Sequence, residues 1–275
     1  MKNSILYIIF SIIVFSIVGC SIDPEQQLES KDWQLVWSDE FSDPAGTLPN
    51  SQRWVFDIGT GSNGWGNNEQ QYYTDRPVNI ATDGNGNLVI TARRENYQGA
   101  QFTSARIKTQ GVFDQKYGKF EVRLKTPYGQ GLWPAFWLLG NNINEVGWPQ
   151  CGEIDIMELR GQLPSIVNGS LHGPDYSGAN ALTEMYGLQN ARFDTEFYTY
   201  AVEWDKDKID FFVNGFLYNR ITKTEVEAVG EWVFDNPFYM IMNVAVGGNY
   251  VGAPNIDTPL PQKMTIDYVR VYKEI

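Results

Sequence analysis

Cysteine and histidine are scarce in this sequence, which has 2 Cys and 1 His among 275 residues. A zinc site needs several such ligands, and no second histidine or cysteine pairs with His172 in the sequence. The Gly-x-Ser-x-Gly turn of many serine hydrolases is also missing, so His172 lacks the context of a serine triad. Other side chains must therefore carry any catalysis.

Positive charge is also in short supply, because 21 Lys and Arg residues face 33 Asp and Glu residues. The formal net charge is −12, and the sequence pI is about 4.6. Such a balance argues against nucleic acid as a partner and against charge-driven binding to anionic lipid. Binding of a neutral polysaccharide to this acidic protein would involve no electrostatic repulsion.

Long apolar runs are limited to one stretch near the start, Ile5–Val18. It is shorter than the roughly 20 residues of a membrane span and fits the core of a signal peptide. Gly19 and Cys20 follow the stretch, and Ile17-Val18-Gly19-Cys20 resembles a bacterial lipoprotein processing box. The prediction is a signal peptide over 1–19, a lipidated tether over 20–31 starting at Cys20, and a catalytic domain over 32–275. An ordinary signal peptide with an incidental cysteine is the alternative.

Lipidation of Cys20 would leave Cys151 without a disulfide partner. Nothing in the sequence marks Cys151 as a nucleophile. A buried packing thiol is the expectation.

Amphipathic helices are nearly missing, and only Thr222–Val229 has weak helical character. Phe120, Val122 and Leu124 alternate with charged residues, and Asn214-Gly215 is a preferred hairpin turn. Many short strands without amphipathic helices predict an all-β sandwich or barrel in which the polar face of one curved sheet lines a cleft. Other predicted strands cover Leu88–Arg93, Ala105–Thr109, Phe136–Leu139, Val167–His172, Tyr198–Trp204, Phe238–Val244 and Thr265–Tyr272.

Residues 153–158 read Glu-Ile-Asp-Ile-Met-Glu. Side chains alternate along a strand, so Glu153 and Asp155 share one face, whereas strict alternation would turn Glu158 away. One extra residue in the strand, a β-bulge, would return Glu158 to the face of the other two acids. Glycoside hydrolysis needs two such carboxyl groups, and like charges nearby raise a pKa so that one carboxyl stays protonated. A solvated polar strand face is the alternative.

The sequence resembles glycoside hydrolase family 16, specifically its laminarinase-type endo-β-1,3-glucanases, from Trp33 to Tyr272. This resemblance implies a jelly-roll β-sandwich of two curved antiparallel sheets, concanavalin A-like, and a retaining mechanism. It also implies that Glu153 is the nucleophile, Glu158 the acid/base and Asp155 the residue that tunes the nucleophile. Besides the acidic hexapeptide, its landmarks are Gly64-Trp65-Gly66-Asn67-Asn68-Glu69, Tyr117-Gly118-Lys119-Phe120-Glu121-Val122-Arg123, Trp133-Pro134-Ala135-Phe136-Trp137, Cys151-Gly152-Glu153, Leu171-His172-Gly173, Trp204 and Asp267-Tyr268-Val269-Arg270-Val271-Tyr272.

Aromatic residues near these acids are candidates for sugar stacking, because indole rings offer a flat apolar surface. Trp133 and Trp137 are four residues apart on one strand face, and Trp148 precedes the acidic strand. All three could instead be core aromatics. The resemblance adds five further substrate contacts: Asn67, Glu121, Arg123, His172 and Asn243. For Glu121 and Arg123, the alternative is a surface ion pair.

The resemblance also implies a structural calcium ion on the convex face, held by Glu40, Gly86 and Asp267. The alternative is that these residues only cap strands. Asp83–Asn87 superficially suggests another calcium loop but does not match the EF-hand pattern. No cofactor is expected for catalysis.

The leading hypothesis is a monomeric lipoprotein that cleaves internal β-1,3-glucosidic bonds of laminarin-like glucans. Cys20 would anchor it to a bacterial outer membrane, on the periplasmic or the cell-surface side. A second hypothesis keeps the family and replaces the substrate with mixed-linkage β-1,3-1,4-glucan or a galactan. A third is a non-catalytic glycan-binding lipoprotein. A transglycosylase with the same residues is also compatible, because acceptor choice depends on water exclusion.

Overall fold

The computed structural model of the chain describes residue 26, residue 28 and residues 30–275. The predicted signal peptide and Cys20 lie outside these residues. Within the described part, no helix has both the length and the hydrophobicity needed to cross a membrane.

Strands dominate the described residues. In chain order they are β1 Trp33–Asp39, β2 Val55–Asp57, β3 Gln71–Tyr73, β4 Ile80–Thr82, β5 Leu88–Tyr97, β6 Ala100–Ser104, β7 Arg106–Lys108, β8 Gly118–Lys125, β9 Leu132–Gly140, β10 Glu153–Glu158, β11 Ile166–His172, β12 Leu182–Gly187, β13 Tyr198–Trp204, β14 Lys208–Val213, β15 Phe216–Thr222, β16 Phe238–Val246 and β17 Gln262–Glu274.

These strands form a jelly-roll sandwich of two sheets. The outer sheet has ten strands in the order β15-β14-β13-β8-β17-β5-β6-β3, with β1 beside β17 and β4 beside β5. The cleft sheet has seven strands in the order β12-β11-β10-β9-β16-β7-β2. The predicted hairpin at Asn214-Gly215 joins β14 to β15.

Helices are short. The helix α1 covers Ile143–Val146, α2 covers Lys223–Glu227, and a 3-10 turn covers Gly178–Asn180. Thr222 and Glu225 form a capping box at the start of α2, in which each side chain bonds to the other residue's backbone N–H. The weak helical pattern from Thr222 onward is therefore confirmed, whereas α1 was not predicted.

The core lies between the two sheets. Phe120, Val122 and Leu124 of β8 point inward from the outer sheet, and they belong to the same buried cluster as Phe136 and Leu138 of β9. Alternation then turns the other residues of β9 to the opposite face of the cleft sheet. That face carries the acids of β10.

Three described residues of the predicted tether, Gln26, Leu28 and Lys31, lie against the outer sheet. Gln26 exchanges two hydrogen bonds with the backbone of Leu217, at 2.7 and 2.9 Å. Leu28 lines a small cavity with residues of β8, β13 and β14. Lys31 forms ion pairs with Asp205 at 3.2 Å and with Glu274 at 3.1 Å. This end of the predicted tether is therefore held on the side of the molecule opposite the cleft.

Candidate active site

A β-bulge in β10 brings the three acids to one face. Against β9, Asp155 pairs with Trp137 and Met157 with Phe136, so Ile156 is the extra residue. Glu158 then pairs with Ala135, on the face that Asp155 and Glu153 also use. Ile156 and Met157 both point into the core, where they are 1% and 0% exposed. The bulge predicted from the sequence is confirmed.

Two tryptophan N–H groups hold the glutamates. Trp148 Nε1 donates to Glu153 Oε2 at 3.1 Å, and Trp133 Nε1 donates to Glu158 Oε1 at 2.9 Å. Each indole N–H thus fixes one carboxyl group, and the indole ring lies beside that carboxyl group. Both tryptophans lie at the cleft as predicted, and Trp148 is 47% exposed.

His172 sits between the first two acids. Its Nε2 lies 3.0 Å from Asp155 Oδ2 and 3.7 Å from Glu153 Oε1. Its Nδ1 accepts a hydrogen bond from the backbone N–H of Gly178 at 3.0 Å, which assigns the ring proton to Nε2. Despite the short distance, Nε2–H is not aligned on Asp155, and Asp155 Oδ2 has no hydrogen bond among the described residues. That oxygen can therefore take part in a proton exchange within the site.

Burial raises the pKa of all three acids, and the charge of Asp155 adds to the shift of the two glutamates. Desolvation, followed by the charge of Asp155, raises the pKa of Glu153 to about 8. The same two causes raise the pKa of Glu158 to about 8, and desolvation raises that of Asp155 to about 8. Groups this close titrate as a set, so near neutral pH they share protons and are not all ionised. One can act as an acid while another is a carboxylate.

A set of metal-ligand atoms also occurs here, because Glu153, Asp155 and His172 each place one such atom within 4.8 Å of the others. Calcium prefers six to eight oxygen ligands, which this set does not offer. Proton sharing accounts for the arrangement without an ion.

The cleft floor continues from β10 onto β9 and β16. Trp137 Nε1 donates to Asn243 Oδ1 at 2.9 Å, and Asn243 is only 5% exposed. On the other side of the acids, the ring of Trp133 lies 5.0 Å from that of Tyr250. Trp137 and Asn243 therefore both lie on the catalytic face, and their contact with a sugar stays a prediction. Asn243, being buried beneath the indole, supports Trp137.

Asn67 belongs to the irregular loop Gly64–Asn68, in which Trp65 and Gly66 have positive φ. The loop is tied to the segment that follows β16, because the Asn67 carbonyl accepts from Asn249 N at 2.8 Å. The Asn67 side chain bonds to Glu69. The contact of Asn67 with a sugar hydroxyl stays a prediction.

Arg106 is a cleft residue that the sequence analysis missed. Its guanidinium lies 4.7 Å from the ring centre of Trp65 and 4.9 Å from that of Trp137. Asp57 pairs with it at 2.9 Å. It occupies the cleft face of β7, opposite Asn243. The alternation Arg106-Ile107-Lys108 was the available signal, but it shows only that one face is polar.

The structure contradicts the prediction for Glu121 and Arg123. Both lie on β8 of the outer sheet, and Phe120 and Val122 between and beside them fill the core. The pair therefore faces outward, on the opposite side of the sandwich from the cleft. Glu121 pairs with Lys119 at 2.8 Å and Arg123 pairs with Asp267, so both residues form ion pairs on the outer face, although not with each other as the alternative had it.

The predicted calcium ligands lie near one corner of the outer sheet. Leu88 pairs with Ile266 and Asp39 with Val269, which brings Gly86, Asp267 and Glu40 to neighbouring positions. Both carboxylates already have partners, because Arg270 forms two hydrogen bonds to Glu40 and Arg123 pairs with Asp267. A cation held by these side chains would have to compete with the arginines.

Cys151 is fully buried, as expected of a packing thiol. Burial, followed by the charge of Glu153, raises its pKa to about 11. It is therefore a poor nucleophile.

Comparisons with known proteins agree with this site. The model of "Glycosyl hydrolases family 16" matches residues 65–270. The chain is 40% identical to a beta-glucanase of Rhodothermus marinus over 265 residues, which cover 94% of the chain and 91% of that protein. It is 38% identical to a glucan endo-1,3-beta-glucosidase of Cryptopygus antarcticus, with 82% of the chain and 84% of that protein covered. It is also similar to the crystal structure of the laminarinase catalytic domain from Thermotoga maritima, with a TM-score of 0.84 and 48% identity over 89% of the chain and all of that domain.

Proposed function

The chain belongs to glycosyl hydrolases family 16, and from this membership and its cleft we infer that it is a retaining endo-β-1,3-glucanase that cleaves internal bonds of laminarin-like glucans. The observation that carries the inference is the bulge that puts Glu158 on the face of Glu153. No cofactor takes part, because the two carboxyl groups supply both the nucleophile and the proton.

In the first step, a carboxylate oxygen of Glu153 forms a bond to the anomeric carbon of the sugar. The bond from that carbon to the glycosidic oxygen breaks, and Glu158 gives its proton to the leaving oxygen. The leaving chain departs as a neutral sugar alcohol. Glu158, with its pKa raised to about 8, holds this proton at neutral pH.

In the second step, the carboxylate of Glu158 takes a proton from water while the water oxygen bonds to the anomeric carbon. The bond between the sugar and Glu153 breaks, and its electron pair returns to the carboxylate. Two inversions give net retention. Asp155 lies between the two glutamates, and its proton stabilises the charge on Glu153 whenever that carboxylate is free.

The test is hydrolysis of laminarin by the purified protein, with products separated by size and the new anomeric proton followed by NMR. We expect internal cleavage into oligosaccharides whose first-formed anomer is β. Glu153→Gln should be folded and inactive, and an unchanged rate would refute the assigned nucleophile. Parallel assays with mixed-linkage glucan and agarose decide whether β-1,3 bonds are preferred. Binding of laminarin without turnover by the unmodified protein would favour the glycan-binding alternative.

Lipid anchoring through Cys20 is a separate proposal. It is supported by the apolar run Ile5–Val18, by the Gly19-Cys20 that follows this run and by the polar residues after Cys20. In a bacterial host, we expect the protein in the outer-membrane fraction and Cys20→Ser in the soluble fraction. A wild-type protein found only in the soluble fraction would contradict it.

A structural calcium ion near Glu40, Gly86 and Asp267 is likewise a proposal, supported by the shared corner of the sheet. Addition of calcium after chelation should raise the melting temperature, and Asp267→Asn should reduce that gain. An identical melting temperature with calcium and with chelator would rule the ion out.

A further inference from the structure

A chain of buried hydrogen bonds runs beneath Trp137. Its indole N–H donates to Asn243 Oδ1 at 2.9 Å, and Asn243 Nδ2 donates to the Tyr73 hydroxyl at 3.2 Å. The Tyr73 hydroxyl donates to Glu69 Oε2 at 3.0 Å. Tyr73 is fully buried and Asn243 nearly so. The chain thus links a ring at the cleft surface to a carboxyl beneath it.

The donor and acceptor atoms along this chain of hydrogen bonds have only one consistent arrangement. An indole N–H only donates, so the oxygen of the Asn243 amide must face Trp137 and its NH₂ must face Tyr73. The Tyr73 oxygen accepts that bond, so its own proton points to an acceptor. Glu69 supplies that acceptor. One carboxyl therefore sets the amide orientation that holds the indole.

Glu69 is anchored independently of this chain. Gln71 Nε2 donates to the same Oε2 at 2.6 Å, and Gln71 Oε1 accepts from the backbone of Val246 at 2.6 Å. Burial raises the pKa of Glu69, which reflects the cost of keeping a carboxyl there. The reaction described above does not use it.

Glu69 also follows directly after the loop Gly64–Asn68. Its backbone N–H donates to the Gly64 carbonyl at 3.2 Å, and its side chain bonds to that of Asn67. A Cβ atom on Gly64 would lie 2.4 Å from the Glu69 nitrogen, so this close approach needs glycine. The same carboxyl thus connects two predicted sugar contacts, Asn67 from the loop and Trp137 from the sheet.

We propose that Glu69 is a positioning residue that, through Tyr73 and Asn243, orients the indole of Trp137 for the sugar bound beside Asp155. The proposal rests on the function inferred above. Trp137 pairs with Asp155 across β9 and β10, so a ring fixed there contacts the sugar next to the reacting bond. A disordered indole would weaken sugar binding more than it slows the chemistry.

The primary test is Tyr73→Phe, which removes one hydroxyl and keeps the buried ring. We expect KM for laminarin oligosaccharides to rise by roughly tenfold. One lost hydrogen bond is worth about 1.4 kcal/mol, which corresponds to a tenfold change in affinity. The value of kcat should change by less than about twofold. The matched control is Tyr200→Phe, because the Tyr200 hydroxyl is buried in the core without a partner among the described residues. That variant should leave KM and kcat unchanged.

The second test asks whether Tyr73 acts through Trp137. Trp137→Phe removes the indole N–H, so the double variant with Tyr73→Phe should lose little more than Trp137→Phe alone. Additive losses would overturn the proposal, as would a Tyr73→Phe variant with a lower melting temperature and an unchanged KM. Absence of laminarin hydrolysis by the unmodified protein would instead overturn the proposed function.

Discussion

Three carboxyl groups with raised pKa values lie on one strand face, and two indole N–H groups lower the pKa of the two glutamates among them. These bonds give each tryptophan an effect on one glutamate. Because the three acids titrate as a set, each limb of the pH profile reports a proton lost from the set. The acid limb reports the loss that leaves Glu153 ionised for attack, and the alkaline limb reports the loss that removes the proton Glu158 needs in the first step.

Removal of either N–H should therefore move one limb of the kcat/KM profile. Trp133→Phe should move the alkaline limb upward by roughly 1–2 pH units, because a hydrogen bond to a charged group is worth about 1.5–3 kcal/mol. Trp148→Phe should move the acid limb upward by less, because Trp148 is half exposed. Both shifts are upward because each variant loses a donor that favours the ionised form.

Trp137→Phe is the control, since its N–H bonds to Asn243 and to no carboxyl. It should weaken binding and leave both limbs in place. A shift of the same limb by Trp133→Phe and Trp148→Phe would contradict the assignment of separate roles.

The raised pKa values also make the site a source of instability. Glu153 is ionised above about pH 4.5 in the unfolded protein but only above about pH 8 in the folded protein. Between these two pH values, folding therefore takes up a proton. Its contribution to stability is full below pH 4.5 and is lost as the pH rises through 8. Glu153→Gln should therefore have a higher melting temperature than wild type near pH 9, by roughly 2–4 °C for each kcal/mol of unfolding free energy gained. Near pH 4 the two proteins should melt at the same temperature. Thermal unfolding across this range measures it, and a constant difference would contradict it.

At the scale of elements, the bulge in β10 was predictable and sheet membership was not. The bulge follows from the chemistry, because Glu153 and Glu158 must share a face and strict alternation forbids it. For Glu121 and Arg123, alternation correctly predicted an outward polar face. Both sheets have one apolar and one polar face, however, so the period of two cannot say which sheet a strand joins. The same ambiguity hid Arg106 on the short strand β7.

The bulge can be tested by changing the length of β10. Deletion of Met157 would restore strict alternation and still pair Glu158 with Ala135, so we expect much of the activity to remain. Stability should fall by about 2–5 kcal/mol, because a buried methionine is lost. Insertion of one alanine after Met157 should instead turn Glu158 inward and abolish hydrolysis. Equal loss of activity in both variants, with folding shown by circular dichroism, would count against the bulge as the determinant.

At the scale of the whole molecule, the two faces of the sandwich carry different groups. The cleft sheet carries the acids, whereas the outer sheet holds Gln26 and Lys31 through Leu217, Asp205 and Glu274. A lipid on Cys20 would be six residues (26 − 20) from Gln26, which span at most about 20 Å. Lipidation would therefore keep the outer sheet near the membrane and turn the cleft toward the polysaccharide.

This orientation can be measured with one fluorophore on each face. Met185→Cys labels an exposed position of β12 on the cleft side, and Lys206→Cys labels one beside the Lys31–Asp205 ion pair. Cys151 is buried and should not react. On vesicles with a headgroup quencher, the label at 206 should be quenched more strongly than the label at 185, whereas neither should be quenched in a Cys20→Ser background. Stronger quenching at 185 would mean that the cleft faces the bilayer, and the short tether could then not bring a polymer to Glu153 from the outside.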